Sequence, residues 1–316
     1  MGAESLSSRA IIGRFYRSLE QETGASWIDG ISMLFGSDQD SETYKWLGQV
    51  PAMREWIGGR QAKGFLENGI TIANKHYEAT LEFLVKELRR DKTNQINIRI
   101  DEFAQRTNSH WASLLSTLIL NAESTVCYDG QFFFDTDHAE GDSGSQSNDL
   151  SIDISALPAS VHGTTTVPSL EEMAACILQT VQQILGFKDD RGEPMNEMAR
   201  QFTVMVPVSL FNIAVGAVSL PFFGTGISNL IPNAKNKFEV NVEMNARLTW
   251  TDKFATFRTD SSAKPLIRQQ ETPVQLKAKA EGSEFEFDND SWQFGVDTWR
   301  NVGYGFWQHA CLATMT

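Results

Sequence analysis

Apolar residues recur at three- and four-residue steps between positions 101 and 123, at Phe103, Thr107, Trp111, Leu114, Leu115, Leu118, Ile119 and Ala122. At 3.6 residues per turn they line one stripe, so the spacing predicts a long amphipathic helix. Asp101 stands where it can cap the start. A second helix is predicted from Ser169 to Gly186, with Leu170, Met173, Ala174, Ile177, Leu178, Val181, Ile184 and Leu185 on its stripe. Ser169 and Glu172 have capping-box spacing, and Gly186 suits a C-terminal stop. Alternation with period two marks strands. It runs from His76 to Glu87 through Tyr77, Ala79, Leu81, Phe83 and Val85, and again through Phe238, Val240, Val242 and Met244. Phe202 to Val208 reads as a buried strand and Ser209 as the start of a short helix. Residues 254–257 and 274–278 are further candidate strands.

Between these elements the pattern weakens. Residues 1–44 carry no sustained period and read as an extended arm or a tail of short helices. Residues 45–80 contain Gly48, Pro51, Gly58, Gly59, Gly64 and Gly69, which suits a long, partly exposed hairpin. Residues 129–151 read as a solvated acidic loop. No internal repeat or heptad pattern is present. The order of arm, hairpin, long helix, mixed middle and β-rich end gives an α+β class.

Composition narrows the class. The chain has 316 residues, 41% hydrophobic, with 20 Phe and 8 Trp. That is enough for a large core and favours two sub-domains or one elongated subunit. The net charge of −13 argues against a dedicated nucleic-acid binder, because such binding uses Lys and Arg to displace phosphate counterions. Cys127, Cys176 and Cys311 are too far apart for a C-x-x-C pair, which favours a reducing compartment. The apolar run Leu210 to Phe223 is broken by Asn212 and Pro221 and is too short to span a bilayer. The expectation is a soluble chain made in the cytoplasm, without membrane contact.

The candidate chemistry is thin. Cys127 and His138, with Asp129, Asp135 and Asp137 between them, offer a thiol, a base and carboxylates in one segment. A nucleophilic pair needs hydrogen-bond contact, which sequence proximity does not supply. The same segment fails the EF-hand pattern, with Ala139, Glu140 and Gln146 at the deciding positions. The run from Gly141 to Ser145 lacks the last glycine of a nucleophile elbow. Gly224-Thr225-Gly226 lacks the third glycine of a dinucleotide loop. Arg54, Arg60 and Lys63 near Trp56 form a small basic cluster interrupted by Glu55, better read as a solvated hairpin or subunit contact. No catalytic residue, metal site or cofactor is assigned.

Three passages carry a family resemblance. The first is Tyr44-Lys45-Trp46-Leu47-Gly48-Gln49-Val50-Pro51, continuing through Arg54-Glu55-Trp56-Ile57-Gly58. The second is Tyr128-Asp129-Gly130-Gln131 with Phe133-Phe134-Asp135-Thr136-Asp137-His138 and Ser147-Asn148. The third is Lys264-Pro265-Leu266-Ile267-Arg268-Gln269-Gln270, then Gly295-Val296-Asp297 and Gly303-Tyr304-Gly305-Phe306-Trp307-Gln308. In this order and spacing the chain resembles the Mu-like phage major head subunits of the gpT type. The resemblance implies the Hong Kong 97-type phage capsid fold. Its parts would be an N-terminal arm at 1–44, an E-loop at 45–80, a peripheral domain with a spine helix at 81–125 and 265–300, and an axial domain at 126–264 and 300–316. It also implies hexameric and pentameric capsomers, scaffold, portal and decoration proteins as partners, and a virion shell around double-stranded DNA. Trp46, Trp56, Phe65 and Leu66 are the candidate inter-subunit contacts, since aromatics dominate such anchors. The acidic loop 139–149 has no assigned place. The alternatives are an encapsulin-like nanocompartment shell and a soluble cysteine hydrolase using Cys127 and His138.

Overall fold

The computed structural model describes residues 7–21, 24–45, 69–91, 94–224 and 226–316. The chain opens with α1 (Ser8–Gln21), α2 (Ile28–Ile31), β1 (Ser32–Gly36) and β2 (Ser41–Tyr44). It continues with β3 (Ile70–Ala73), β4 (Lys75–Leu84), α3 (Val85–Arg90), α4 (Gln95–Asn108) and α5 (His110–Leu120). The middle holds β5 (Asp149–Ile152), α6 (Leu170–Gly186), β6 (Gln201–Val206), α7 (Phe211–Ser219) and α8 (Leu230–Asn233). The rest is β7 (Glu239–Met244), β8 (Lys253–Arg258), β9 (Leu266–Lys279), α9 (Glu284–Asn289), β10 (Ser291–Tyr304) and β11 (Ala310–Met315).

Among the described residues the strands form three sheets. One has the order β1-β9-β10-β4, the second β5-β11-β8-β6-β7, and the third pairs β2 with β3. Two apolar clusters result. The larger surrounds the five-stranded sheet, with α6, Trp307 and Phe254 inside. The smaller gathers Ile11, Phe15, Phe83, Leu88, Ile100 and Phe294 between α1, α4 and the four-stranded sheet. The 14-residue strands β9 and β10 reach both, since Ile267 and Tyr304 lie in the larger cluster and Phe294 in the smaller.

Several sequence expectations change form. The helix expected over 101–123 is two helices, 95–108 and 110–120. Asp91 caps the first, its carboxylate accepting from the backbone N–H of Gln95 and Ile96. Asp101 instead faces α1, where Nε and Nη2 of Arg14 and the hydroxyl of Ser18 donate to it. At the break, Asn108 donates to the carbonyl of Leu19 and Ser109 to that of Arg106. Such short polar side chains compete with the helical ladder. The alternation read from His76 to Glu87 ends as a strand at Leu84, and Val85 and Glu87 lie in α3. The weakly patterned segment before residue 44 contains a well-packed helix, α1, whose Ile11 and Phe15 are buried.

Other expectations hold. The capping box is complete: Ser169 Oγ accepts from Glu172 N and the Glu172 carboxylate from Ser169 N. The alternation from His76 builds β4, which pairs antiparallel with β10, Phe83 opposite Trp292 and Tyr77 opposite Thr298. The hairpin expected over 45–80 lies mostly outside the described residues; β2 and β3 on either side of that stretch pair antiparallel, and residues 75–80 belong to β4 in the larger sheet.

Candidate assembly surface

The residues considered for catalysis are held apart. Cys127 is buried, and its Sγ donates to the carbonyl of Gly305 over 3.7 Å. Burial, then the nearby charge of Asp129, pushes the thiol well above its ordinary range, so the nucleophilic thiolate is suppressed. His138 is no solvated loop residue, as the sequence reading had it. It is fully buried, with Nδ1 2.6 Å from Asp129 Oδ2 and Nε2 3.2 Å from Asn148 Oδ1. Its ring stacks on Trp307 at 4.0 Å and 8°. Both ring nitrogens therefore face oxygen acceptors, and neither meets the sulfur. Among the described residues no group of three His, Cys, Asp or Glu side chains is placed to hold a metal ion.

The acidic loop is likewise better packed than expected. Asn148 Nδ2 donates to the carbonyl of Phe133, and its Oδ1 accepts from Asp135 N. Burial raises Glu140 above the ordinary carboxylate value. This network joins two passages far apart in sequence. Phe133 stacks on Tyr304 at 4.7 Å, Tyr128 meets Phe306 edge-on, and the Tyr128 hydroxyl pairs with the Gln308 side chain. The second and third resemblance passages are thus packing partners. Sequence reasoning missed this cluster because Asp129, His138 and Asn148 have neither a ligand spacing nor an amphipathic period.

Trp46, Trp56, Phe65 and Leu66 lie outside the described residues, as does the cluster Arg54, Arg60 and Lys63. The strands β2 and β3 that flank this stretch are firmly held. Tyr44 is buried and donates its hydroxyl to Gln269 Oε1 over 2.8 Å. Gln269, fully buried, donates to the carbonyl of Ile72 and to Asn74 Oδ1. Asn301 donates to the carbonyl of Ala73. Burial and then Glu42 push the Tyr44 hydroxyl up to about 12, so it remains a donor.

A second surface is apolar and exposed. Val161 (74%), Val167, Phe222, Ile227 and Leu230 (65%) are each more than half exposed, the first two on the loop 157–168, the next two between α7 and α8, and Leu230 at the start of α8. Between the loops runs a groove of about 450 Å³ lined by Pro158, Ala174, Leu178, Phe223 and Ile227. The loops are pinned from beneath. Glu172 accepts from Gly163 N and contacts His162, and Asn229 donates to the carbonyls of Ala217 and Leu220. Grouped apolar side chains on pinned loops are the usual mark of a contact surface.

The chain is similar to several known proteins. The family model described as Mu-like prophage major head subunit gpT matches residues 8–156 and 221–316. The Mu-like prophage FluMu major head subunit of Haemophilus influenzae is 32% identical over 289 residues, 90% of this chain and 66% of that protein. The major capsid protein of Escherichia phage Mu is 31% identical over 117 residues, 37% of this chain and 38% of that protein. The chain thus spans just under two thirds of the first relative's length and less of the second's. Among solved structures, the procapsid of bacteriophage JBD30 superposes with a TM-score of 0.55 at 22% identity, covering 98% of this chain and 75% of that one. At that identity what is shared is the fold.

Proposed function

This chain belongs to the family of Mu-like prophage major head subunits of the gpT type and has the α+β phage capsid fold of Hong Kong 97 type, and from that premise we propose that it is a major capsid subunit, building the head of a Mu-like tailed phage by self-association. The observation that carries the reading is the exposed apolar surface on segments 157–168 and 220–231. A lone subunit leaves this surface in water, and burying it releases roughly 25 cal/mol per Å² of apolar area. Obligate interfaces are large and apolar in just this sense.

In this reading residues 1–44 are the arm and 45–80 the E-loop. Residues 81–125 with 265–300 form the peripheral domain, and 126–264 with 300–316 the axial domain. Axial domains meet in hexamers and pentamers that close into an icosahedral shell, assembled in the host cytoplasm. Trp46, Trp56, Phe65 and Leu66 reach a neighbouring subunit from the hairpin, whose root Tyr44 and Gln269 hold steady. The surplus of 13 acidic side chains suits a wall that encloses double-stranded DNA without binding a sequence. Scaffold, portal and decoration proteins complete the particle. The chemistry is geometric, with no catalytic step.

Negative-stain microscopy of the purified protein tests this. Uniform shells or capsomers are expected from the full chain. Deleting residues 55–68 is expected to leave a folded subunit that forms no stable shell. Small monodisperse particles from the full chain under all assembly conditions, or normal shells from the deletion, would overturn the respective claims. Shells that copurify with enzyme cargo and no nucleic acid would point to a nanocompartment.

A further inference from the structure

Arg300 is a buried cation without an acidic partner among the described residues. It is 3% exposed, near the end of β10, and its guanidinium lies over the Trp111 ring at 4.7 Å. Its one direct hydrogen bond to a described residue is long, from Nη2 to the carbonyl of Thr107 at 3.4 Å, and its Nε has none. Arg268 flanks the same tryptophan at 5.7 Å but has a carboxylate, since its Nη2 donates to Asp29. The two guanidinium groups beside Trp111 thus have one acidic partner between them among the described residues. A guanidinium carries five N–H donors and cannot shed its charge, so burying it without an anion is costly.

Arg300 lines an open pocket of about 210 Å³ between α4 and the face of β4 and β10. Phe103, Ala79 and Val296 form apolar walls, while Arg106 and His110 complete the lining from the helix side. The field inside is positive. Burial first, then the charges of Arg300 and Arg247, hold the His110 imidazole down at about 4. Glu78 also lines the pocket, and its carboxylate accepts from the Thr80 hydroxyl. The space is smaller than the ~300–1,000 Å³ of typical small-molecule sites and fits one acidic side chain with its methylene stem.

We propose that this pocket receives the carboxylate of a glutamate or aspartate from a second copy of the chain. This rests on the self-association reading. The choice of occupant follows from charge. Each copy carries 40 acidic against 27 basic residues, so a second copy offers surplus carboxylates to a guanidinium that has none among the described residues. Pairing there fixes orientation, because a planar guanidinium takes a carboxylate bidentately and in one plane. A buried pair of this kind selects among possible contacts between copies more than it adds affinity.

The test uses the full chain and glutarate as the probe. Ala79 is exposed and borders the pocket, so Ala79→Glu supplies an internal carboxylate without disturbing the core. Glutarate is expected to raise the melting midpoint of the wild-type subunit by roughly 2 °C or more near saturation. It should leave Ala79→Glu unmoved and slow wild-type shell formation as a competitor. Ala79→Glu and Arg300→Gln should each lower shell yield about tenfold, with Arg300→Lys recovering part of it. If Arg300→Gln fails to fold, Ala79→Glu alone decides. Equal shell yields from wild type and Ala79→Glu, or a glutarate response in neither, overturn the proposal while the capsid reading stands. A wild-type chain that never assembles yet responds to glutarate through Arg300 overturns the capsid reading and the second copy as occupant, leaving a pocket for free carboxylates.

Discussion

His138 and Asp101 show how single side chains carry long-range connections here. The His138 ring holds Asp129 and Asn148 at once while covering Trp307, so three segments depend on it. His138→Ala strands a carboxylate whose side chain is 4% exposed. A loss of about 3–5 kcal/mol is expected by urea denaturation. A loss below about 1 kcal/mol would show that the contact is incidental. Asp101 gives a pH signature. The Arg14 guanidinium's hydrogen bond holds its carboxyl below the ordinary value of 3.8. A depressed folded-state value means that the pair stabilises the fold above that pH and is lost as pH falls through the folded value. Both side chains are about a third exposed, so solvent screening limits the effect to about 1 kcal/mol. Stability measured from pH 5 down to pH 2 should fall more gently in Asp101→Asn, and identical slopes would count against the pair.

Among the elements, two glycines near the end of β10 make close approaches of different kinds. A methyl group on Gly303 would lie 2.3 Å from Ile72 Cδ1 and 2.8 Å from its Cγ1, so the Ile72 side chain of β3 occupies the space beside Gly303 in β10. Gly305 is tighter in kind, since its methyl would meet the backbone carbonyl oxygen of Lys264 at 2.5 Å. Side chains move and backbone does not. Gly303→Ala should therefore cost about 1–3 kcal/mol and recover in part in combination with Ile72→Val, which removes Cδ1 but keeps the γ carbons, whereas Gly305→Ala should cost more. Thermal melts of the three variants check this, and an absence of rescue by Ile72→Val would refute the account of Gly303.

On the scale of the molecule, two apolar clusters share β9 and β10 but differ in size. The smaller depends on α1, whose Phe15 packs on Phe103 with ring centroids 5.6 Å apart. Phe15→Ala is expected to cost about 3–5 kcal/mol within that cluster. Hydrogen exchange should then show lost protection in α1 and α4, with β6, β8 and β11 retaining theirs. Uniform loss throughout would mean that the two clusters unfold as one.

Periodicity alone determined α6 with its cap, the strands β4 and β7, and the α+β class, because amphipathic spacing and capping are local properties of neighbouring residues. The order of the three resemblance passages likewise determined the family, without any contact being known. The tertiary structure decided what distance along the chain conceals. It joined β4 to β10, gave the cap of α4 to Asp91 and left Asp101 for Arg14, and turned a loop histidine into a buried one. It also left Arg300 buried beside Trp111 without an acidic partner among the described residues. The strand pairing, the Arg14–Asp101 bond, the stacking of His138 on Trp307 and the seat of Arg300 on Trp111 depend on partners tens to hundreds of residues away, whereas Asp91 reaches Gln95 and Ile96 within about one helical turn. A polar side chain's role is set by which acceptor the fold delivers to it, and no local pattern records that.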